Sequence, residues 1–372
     1  GLGMRSSVMV NPLNPAAYSL TPRQGFLFDF GVEGVNFYNR QQKYADGAQT
    51  TSRTSYNTFN FHDIAFQLPL ARRLGLGFSL TPYSSVGYRV SADEQSDDVW
   101  GNIGRVQYLY AGEGDLTEVK LGIGWEVVKR VSIGVAAQYY WGDIERTYQT
   151  VVSNNIVNGG SVNTVTGTDS YGISRIKMQL GLQADLIQSE RQVLTLGATY
   201  DMGGNLRPSV NQTVVNGDIY GTVVRGDTTR MALKLPVQLG VGLYYQNAKI
   251  AAGVDYIYQN WENNESPKSV PGAVNVAYKN TNTVKLGFEY TPNRMDIRNY
   301  LKRWSYRVGF RYGTYYQTFE GKTLSQYAVT AGFGMPVRFL GRSSIDFGVE
   351  FGQRGNDSPL RIDNRQIGLV RQ

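Results

Sequence analysis

Cysteine is absent from the chain, so it has no disulfide framework, no thiolate metal ligand and no thiol nucleophile. Histidine occurs once, as His62, which excludes a multi-histidine metal centre and any catalytic scheme that needs two imidazoles. The Asp63 neighbour of His62 leaves a Ser-His or Asp-His rim site open in principle, but nothing in the sequence places a serine beside it. No stretch of about 18 apolar residues offers a transmembrane helix. There is no Walker loop, no dinucleotide glycine fingerprint and no EF-hand loop. Charged residues make up only 18% of the 372, against a usual ~25%. The net charge of +7 is scattered in groups of at most two or three basic residues, which gives no nucleic-acid footprint. Such spread charge suits a solvated surface facing anionic lipid headgroups.

What is abundant is glycine, 43 residues, and tyrosine, 26. The dominant pattern is alternation with period two over long segments. Ile345, Phe347, Val349 and Phe351 share one face, while Asp346, Gly348, Glu350 and Gly352 share the other. Trp304, Tyr306, Val308, Phe310 and Tyr312 oppose Ser305, Arg307, Gly309, Arg311 and Gly313 in the same way. Similar alternation runs through 131–141, 231–245 and 284–290. Such strands cancel in a hydropathy average, so a mean hydropathy of −0.33 is compatible with a membrane barrel.

Collected along the chain, these segments predict about fourteen strands, an even number as single-chain bacterial barrels have. The spans are 25–40, 54–69, 74–90, 103–127, 130–149, 170–188, 191–210, 226–246, 248–263, 275–292, 303–319, 325–338, 342–354 and 361–372. Most exceed the ~9–11 residues needed to cross a bilayer, whereas strands of soluble sheets average ~5–6. Tight or modest turns follow the even strands and polar, mostly longer links follow the odd ones. A bend is expected in the fourth strand around Gly112-Glu113-Gly114. The expected fold is therefore all-β: a membrane-spanning antiparallel barrel, residues 25–372, preceded by a luminal plug, residues 1–24. With short turns periplasmic, both termini fall on the periplasmic side of a Gram-negative outer membrane. The chain ends Leu369-Val370-Arg371-Gln372, without the terminal aromatic common in such barrels, so the last strand is expected to lack its closing residues.

The apolar residues Leu2, Met4, Val8, Met9, Val10, Leu13, Tyr18 and Leu20 are too many for a segment hanging free in water, and predict packing inside the barrel. The predicted lumen carries both signs of charge, among them Lys120, Asp185, Glu289, Arg307, Arg311, Asp346 and Glu350, a set expected to pair across a narrow interior. In strand three, Pro82 has no N–H and deletes a ladder bond, and Ser84, Ser85 and Gly87 follow at once. A bulge or inward kink at 81–85 with a side opening is expected there, with Pro82, Tyr83, Ser84 and Ser85 as a candidate lateral gate.

Three features together resemble the FadL-type family of outer-membrane transporters of long-chain fatty acids and other hydrophobic molecules. They are Asn14-Pro15-Ala16 just before the first strand, the proline-interrupted strand Gly75-Leu76-Gly77-Phe78-Ser79-Leu80-Thr81-Pro82-Tyr83, and Leu235-Pro236 followed by Leu239-Gly240-Val241-Gly242-Leu243. The resemblance implies that Asn14, Pro15 and Ala16 belong to a hatch inside the barrel and that strand three opens a lateral path to lipid. The segment before the barrel is shorter than the family's usual hatch. The implied function is passive uptake of a hydrophobic small molecule with no cofactor or metal and no catalysis. The alternative is a non-transport scaffold or accessory subunit of a larger outer-membrane secretion or barrel-assembly complex. Partners on these readings are outer-membrane lipid, a hydrophobic ligand or other outer-membrane proteins, not nucleic acid.

Overall fold

The computed structural model describes residues 1–23, 25–45, 48–94, 96–155, 159–206, 208–216, 222–225, 229–230, 234–262, 276–319, 322–337, 343–355 and 360–371. Among these residues fourteen staves close into one antiparallel barrel. They are β1 (Leu27–Ala45), β2 (Ala48–Ala71), β3 (Leu74–Asp93), β4 (Arg105–Val128), β5 (Val131–Asn155), β6 (Ser161–Gln188) and β7 (Gln192–Asp201). The second half comprises β8 (Val237–Asn247), β9 (Ile250–Asn260), β10 (Thr281–Tyr290), β11 (Ser305–Phe319), β12 (Lys322–Val337), β13 (Ser343–Arg354) and β14 (Leu360–Arg371). Each stave pairs with the next, and β14 closes the ring on β1 from Phe30↔Arg371 to Gln41↔Leu360. Closure removes the sheet edges that a bilayer would leave unsatisfied.

Alternation decides which face looks where. Leu121, Ile123 and Trp125 of β4 are exposed, as are Tyr306, Val308, Phe310 and Tyr312 of β11, and together such residues form the outer, lipid-facing wall. The intervening Lys120 is buried inside, and Arg307 and Arg311 face inward too. At one end the staves turn tightly: Arg73 and Arg130 sit in two of these turns at φ 67° and 76°. The start of β1 and the end of β14 lie at this same end. At the other end β1 and β2 pair out to Ala45↔Ala48, through the expected loop 41–53, and β5 and β6 pair out to Asn155↔Ser161. A short helix, Asp97–Asn102, caps the β3–β4 connection. Where a bend was expected in β4, the pairing runs on in register through Gly112–Gly114 on both sides, and Gly114 has a φ of 135°, which suits a residue without Cβ.

Two expected strands are corrected. The span 191–210 is not one strand: β7 stops at Asp201, and Ser209–Asn216 resumes the pairing with β6 from Gly172↔Ser209. Between them the chain leaves the wall, and Gly204–Asn205 pairs instead with Lys234–Leu235. The span 226–246 begins as a stave only at Val237, after Pro236, which cannot donate to the ladder. The expected links 264–274 and Gly321 lie outside the described residues.

Candidate functional site: a luminal chamber beside an open seam

Residues 1–23 pack against the inner face of the barrel. Pro15–Leu20 form a 3-10 turn whose N-cap, Asn14, accepts from the Ala16 N–H at 3.1 Å. The Asn14 carboxamide also donates to the backbone carbonyls of Leu2, Leu182 and Ala198 at 3.0, 3.2 and 3.3 Å, tying the turn to two staves. Arg5 is buried; it binds Asp185 at 2.7 Å and Ser132 at 2.8 Å, and lies 3.8 Å from Glu126. Gln67 donates to Thr21, Gln183 donates to the Leu2 carbonyl, and the Leu2 N–H donates to Asp255. Burial pushes the Tyr18 hydroxyl far above its ordinary pKa, with the Glu118 carboxylate adding to the shift, so the phenol stays neutral.

Space for this segment comes from glycines on the inner face. A Cβ at Gly75 or Gly77 would overlap Tyr18, one at Gly124 or Gly134 would overlap the Pro15–Ala16 backbone, and one at Gly181 would overlap the Asn14 side chain. The alternating glycines of β3 to β6 thus bring the wall and the segment into backbone contact.

Next to the segment lies a chamber of about 300 Å³. Leu2, Pro12 and Leu13 of the segment line it on one side. Tyr140, Met202, Leu235 and Pro236 also line it. The inward excursion after β7 places Leu206 against Leu116, Tyr140 and Ile173, a buried apolar cluster that Leu235 joins. The chamber wall is mixed in character. Lys120 pairs with Glu118 at 3.3 Å and donates to the Pro12 carbonyl at 3.1 Å. Asp201 accepts from Gln138 and Gln238, both at 3.1 Å, and the Lys177 ammonium lies 5.8 Å from the centre of the Tyr140 ring. A second crevice of about 720 Å³ runs along β9 to β13. Arg307 pairs there with Glu289 at 2.8 Å and with Asp346, and Arg311 pairs with Glu350 at 2.7 Å. Part of the mixed-sign lumen is therefore ion-paired, as its composition suggested.

The wall beside the chamber is incomplete. The ladder between β2 and β3 runs from Ala71↔Leu74 to Ile64↔Leu80, and no pairing of β3 with β2 continues beyond Leu80 among the described residues. From there β2 pairs only with β1 and β3 only with β4. A bulge stands on each side of this seam. In β3, Pro82↔Thr117 is followed by Ser84↔Leu116, leaving Tyr83 unpaired, and its ring meets the buried Tyr140 edge-on at 4.8 Å. In β2, Gly31↔Asp63 is followed by Val32↔Phe61, leaving His62 as the extra residue, its Nδ1 2.8 Å from Asp63.

A protein-family model described as BamG matches residues 1–366. The chain belongs to the BamG family. No curated protein matches it. Solved structures do: a Pseudomonas aeruginosa FadL homologue superposes with a TM-score of 0.61 at 12% identity, over 96% of this chain and 90% of that one. The Pseudomonas putida toluene transporter TodX gives 0.59 at 17% identity, over 96% and 91%. The Ralstonia pickettii toluene transporter TbuX gives 0.57 at 15% identity, over 96% and 91%. At such identities the likeness establishes the fold, a barrel of the FadL type. This BamG-family chain therefore has a FadL-type barrel fold.

Asn14, Pro15 and Ala16 thus lie together at the turn against β4 to β7, and Pro82 to Ser85 lie at the seam and its bulge. The His62 bulge, Glu118, Asp201 and the inward excursion carrying Leu206 were not anticipated. For the excursion, Gly203-Gly204, Pro208 and Pro236 were the available signal; for a bulge at His62 the sequence offers none.

Proposed function

We propose that this barrel gives a hydrophobic small molecule passive, lateral passage between its chamber and the outer leaflet of the outer membrane. Residues 1–24 act as the plug, and the short-turn end, with both termini, faces the periplasm. The observation that carries this reading is the seam: a ladder that stops at Ile64↔Leu80, a bulged Tyr83, and a chamber immediately behind it. An unsatisfied strand edge is costly at membrane depth unless it meets water, protein or a ligand, so an open seam in a lipid-facing wall needs an occupant. Tyr83, half-exposed and packed on Tyr140, stands at the doorway. The toluene transporters among the structural neighbours agree with a solute of this class.

The test is a variant that removes Tyr83 and carries Pro82→Val, restoring an unbulged β3. In proteoliposomes loaded with a fluorescent long-chain fatty acid, exchange through the barrel should fall about tenfold or more, the effect expected if one gate of ~1.4 kcal/mol or more is closed. Unchanged exchange in a correctly folded variant refutes the lateral route.

A second reading has its own support. The segment is held in place by buried hydrogen bonds and the Arg5–Asp185 pair, and the chain belongs to the BamG family. On that reading the barrel is a scaffold or accessory subunit of a larger outer-membrane secretion or barrel-assembly complex. Purification in mild detergent separates the two: a stoichiometric protein partner favours the scaffold, and a co-purifying acyl chain favours transport.

A further inference from the structure

The connections at the short-turn end are two or three residues long at 72–73, 129–130, 189–191 and 248–249, but the β10–β11 connection occupies 291–304. It is not slack. The Asn293 side chain accepts from the Met295 N–H at 3.1 Å, Asp296 accepts from the Arg298 and Asn299 N–H groups at 2.9 and 2.8 Å, and Asn299 accepts from Leu301 at 3.0 Å. Three successive side-chain caps and a 3-10 turn, Tyr300–Arg303, make it a rigid projection.

Its direction is set by Trp304. This ring stacks on Phe333 at 5.0 Å, and Phe333 packs on Phe347 at 5.3 Å. Trp304 shares the parity of Tyr306, which is on the outer wall, and Tyr300 meets Trp304 edge-on at 6.0 Å while donating to the Pro336 carbonyl. The projection therefore continues the lipid-facing aromatic belt instead of folding into the lumen. Beyond the belt, Met295 is 86% and Ile297 93% exposed, an unusual degree for apolar side chains on an ordered loop. The sequence 291–304 holds four basic residues, Arg294, Arg298, Lys302 and Arg303, against one acid, Asp296. Arg294 leans onto Glu289, Lys302 reaches Asp296 at 4.0 Å, and Arg303 lies over the Tyr300 ring.

We propose that 291–304 is an interfacial anchor for the leaflet at this end of the barrel, with Met295 and Ile297 inserted among acyl chains and Arg298, Lys302 and Arg303 on anionic phospholipid headgroups. Apolar tips flanked by cations and aromatics are the composition of segments that lie in a membrane interface. Continuity with the outer wall and excess positive charge select lipid over a protein as the occupant.

The chain has no cysteine, so Ile297→Cys creates a unique attachment point for an environment-sensitive fluorophore on the full-length protein, with Met295→Cys as a second position. Reconstituted in phosphatidylcholine–phosphatidylglycerol vesicles, the probe should emit to the blue of its value in water and be quenched by brominated lipid. Adding Arg298→Gln, Lys302→Gln and Arg303→Gln should lower the inserted population by about fivefold per charge, or ~1 kcal/mol each. These substitutions lie outside the chamber and seam, so a failure here leaves the transport reading untouched. A water-like spectrum without quenching overturns the proposal. So does insertion of equal extent in purely zwitterionic vesicles, or burial that appears only when a protein partner is added.

Discussion

Replacing Gly134 by alanine asks, with one methyl group, whether backbone contact with the wall is what holds residues 1–23 in the barrel. The new Cβ would lie 2.6 Å from the Pro15 carbonyl oxygen, with other Pro15 and Ala16 backbone atoms closer still, so no flexible side chain can yield. The β5 wall is paired on both sides, Gly134 with Gly124 and with Gly181, and is the stiffer party. The segment must then retreat by about 1 Å to reach ordinary contact, a crowding that typically costs about 1–3 kcal/mol. The bonds from Asn14 to Leu182 and Ala198 start at 3.2 and 3.3 Å, and such a shift takes both beyond hydrogen-bonding distance. At about 1 kcal/mol each, the total reaches about 3–5 kcal/mol, or about two to four orders of magnitude in the undocking equilibrium. Trypsin cleavage after the buried Arg5 in the folded barrel reports the undocked fraction when docking is fast relative to cleavage. Gly287→Ala, where nothing lies within 4 Å of the added carbon, is the control. If Gly134→Ala is as protected as Gly287→Ala, with both barrels shifting normally on heating in a gel, the close-contact argument is wrong.

Other outcomes follow from single groups. Arg5→Met leaves the Asp185 carboxylate buried without its guanidinium, and should weaken docking of the segment by about 3–5 kcal/mol, read by chymotrypsin cleavage after the buried Tyr18, since the trypsin site goes with Arg5. Deleting residues 1–23 should raise the conductance of the reconstituted barrel; unchanged conductance would mean that wall side chains close the lumen. In that truncated barrel, Arg307→Met removes the guanidinium between Glu289 and Asp346, leaving Glu289 with Arg294 alone, and should shift the reversal potential toward cation preference. Asp296 is held below its ordinary value of 3.8 chiefly by the Asn299 N–H, with help from Arg298. Its cap on the 291–304 loop is therefore fully present above the ordinary value and lost as pH falls through the depressed one. Emission from an Ile297→Cys probe should stay flat at neutral and mildly acidic pH and change only below that range. A transition near neutrality would show that another group holds the loop.

Alternation alone carried the barrel. A period of two over ten or more residues cannot sit as a helix, and strands that long with a fully apolar outer face have nowhere to go but a bilayer. The count of fourteen, the short turns around Arg73 and Arg130, and the inward placement of Glu289, Arg307, Arg311, Asp346 and Glu350 all follow from alternation and its interruptions, which are local. The packing of residues 1–23 against the wall was legible in part: of the apolar residues that suggested it, Leu2, Val10 and Tyr18 are buried, whereas Val8 and Leu13 are exposed. Pro82 marked the interrupted strand because the missing N–H is a property of the residue itself.

Tertiary structure decided where the ladder fails and what stands behind the failure. That β2 and β3 part after Ile64↔Leu80 depends on how two staves with different neighbours diverge, and the extra residue at His62 carries no local signature. The departure of 202–208 from the wall is likewise a matter of what it meets inside: Gly204–Asn205 finds Lys234–Leu235, some thirty residues away, and Leu206 finds Tyr140 and Ile173. Glu118 and Asp201 become chamber residues only because β4 and the end of β7 are brought to one cavity by closure of the ring. A side chain's face is set by its own strand, but its partners are set by the register and curvature of the whole barrel, and only the closed structure fixes those.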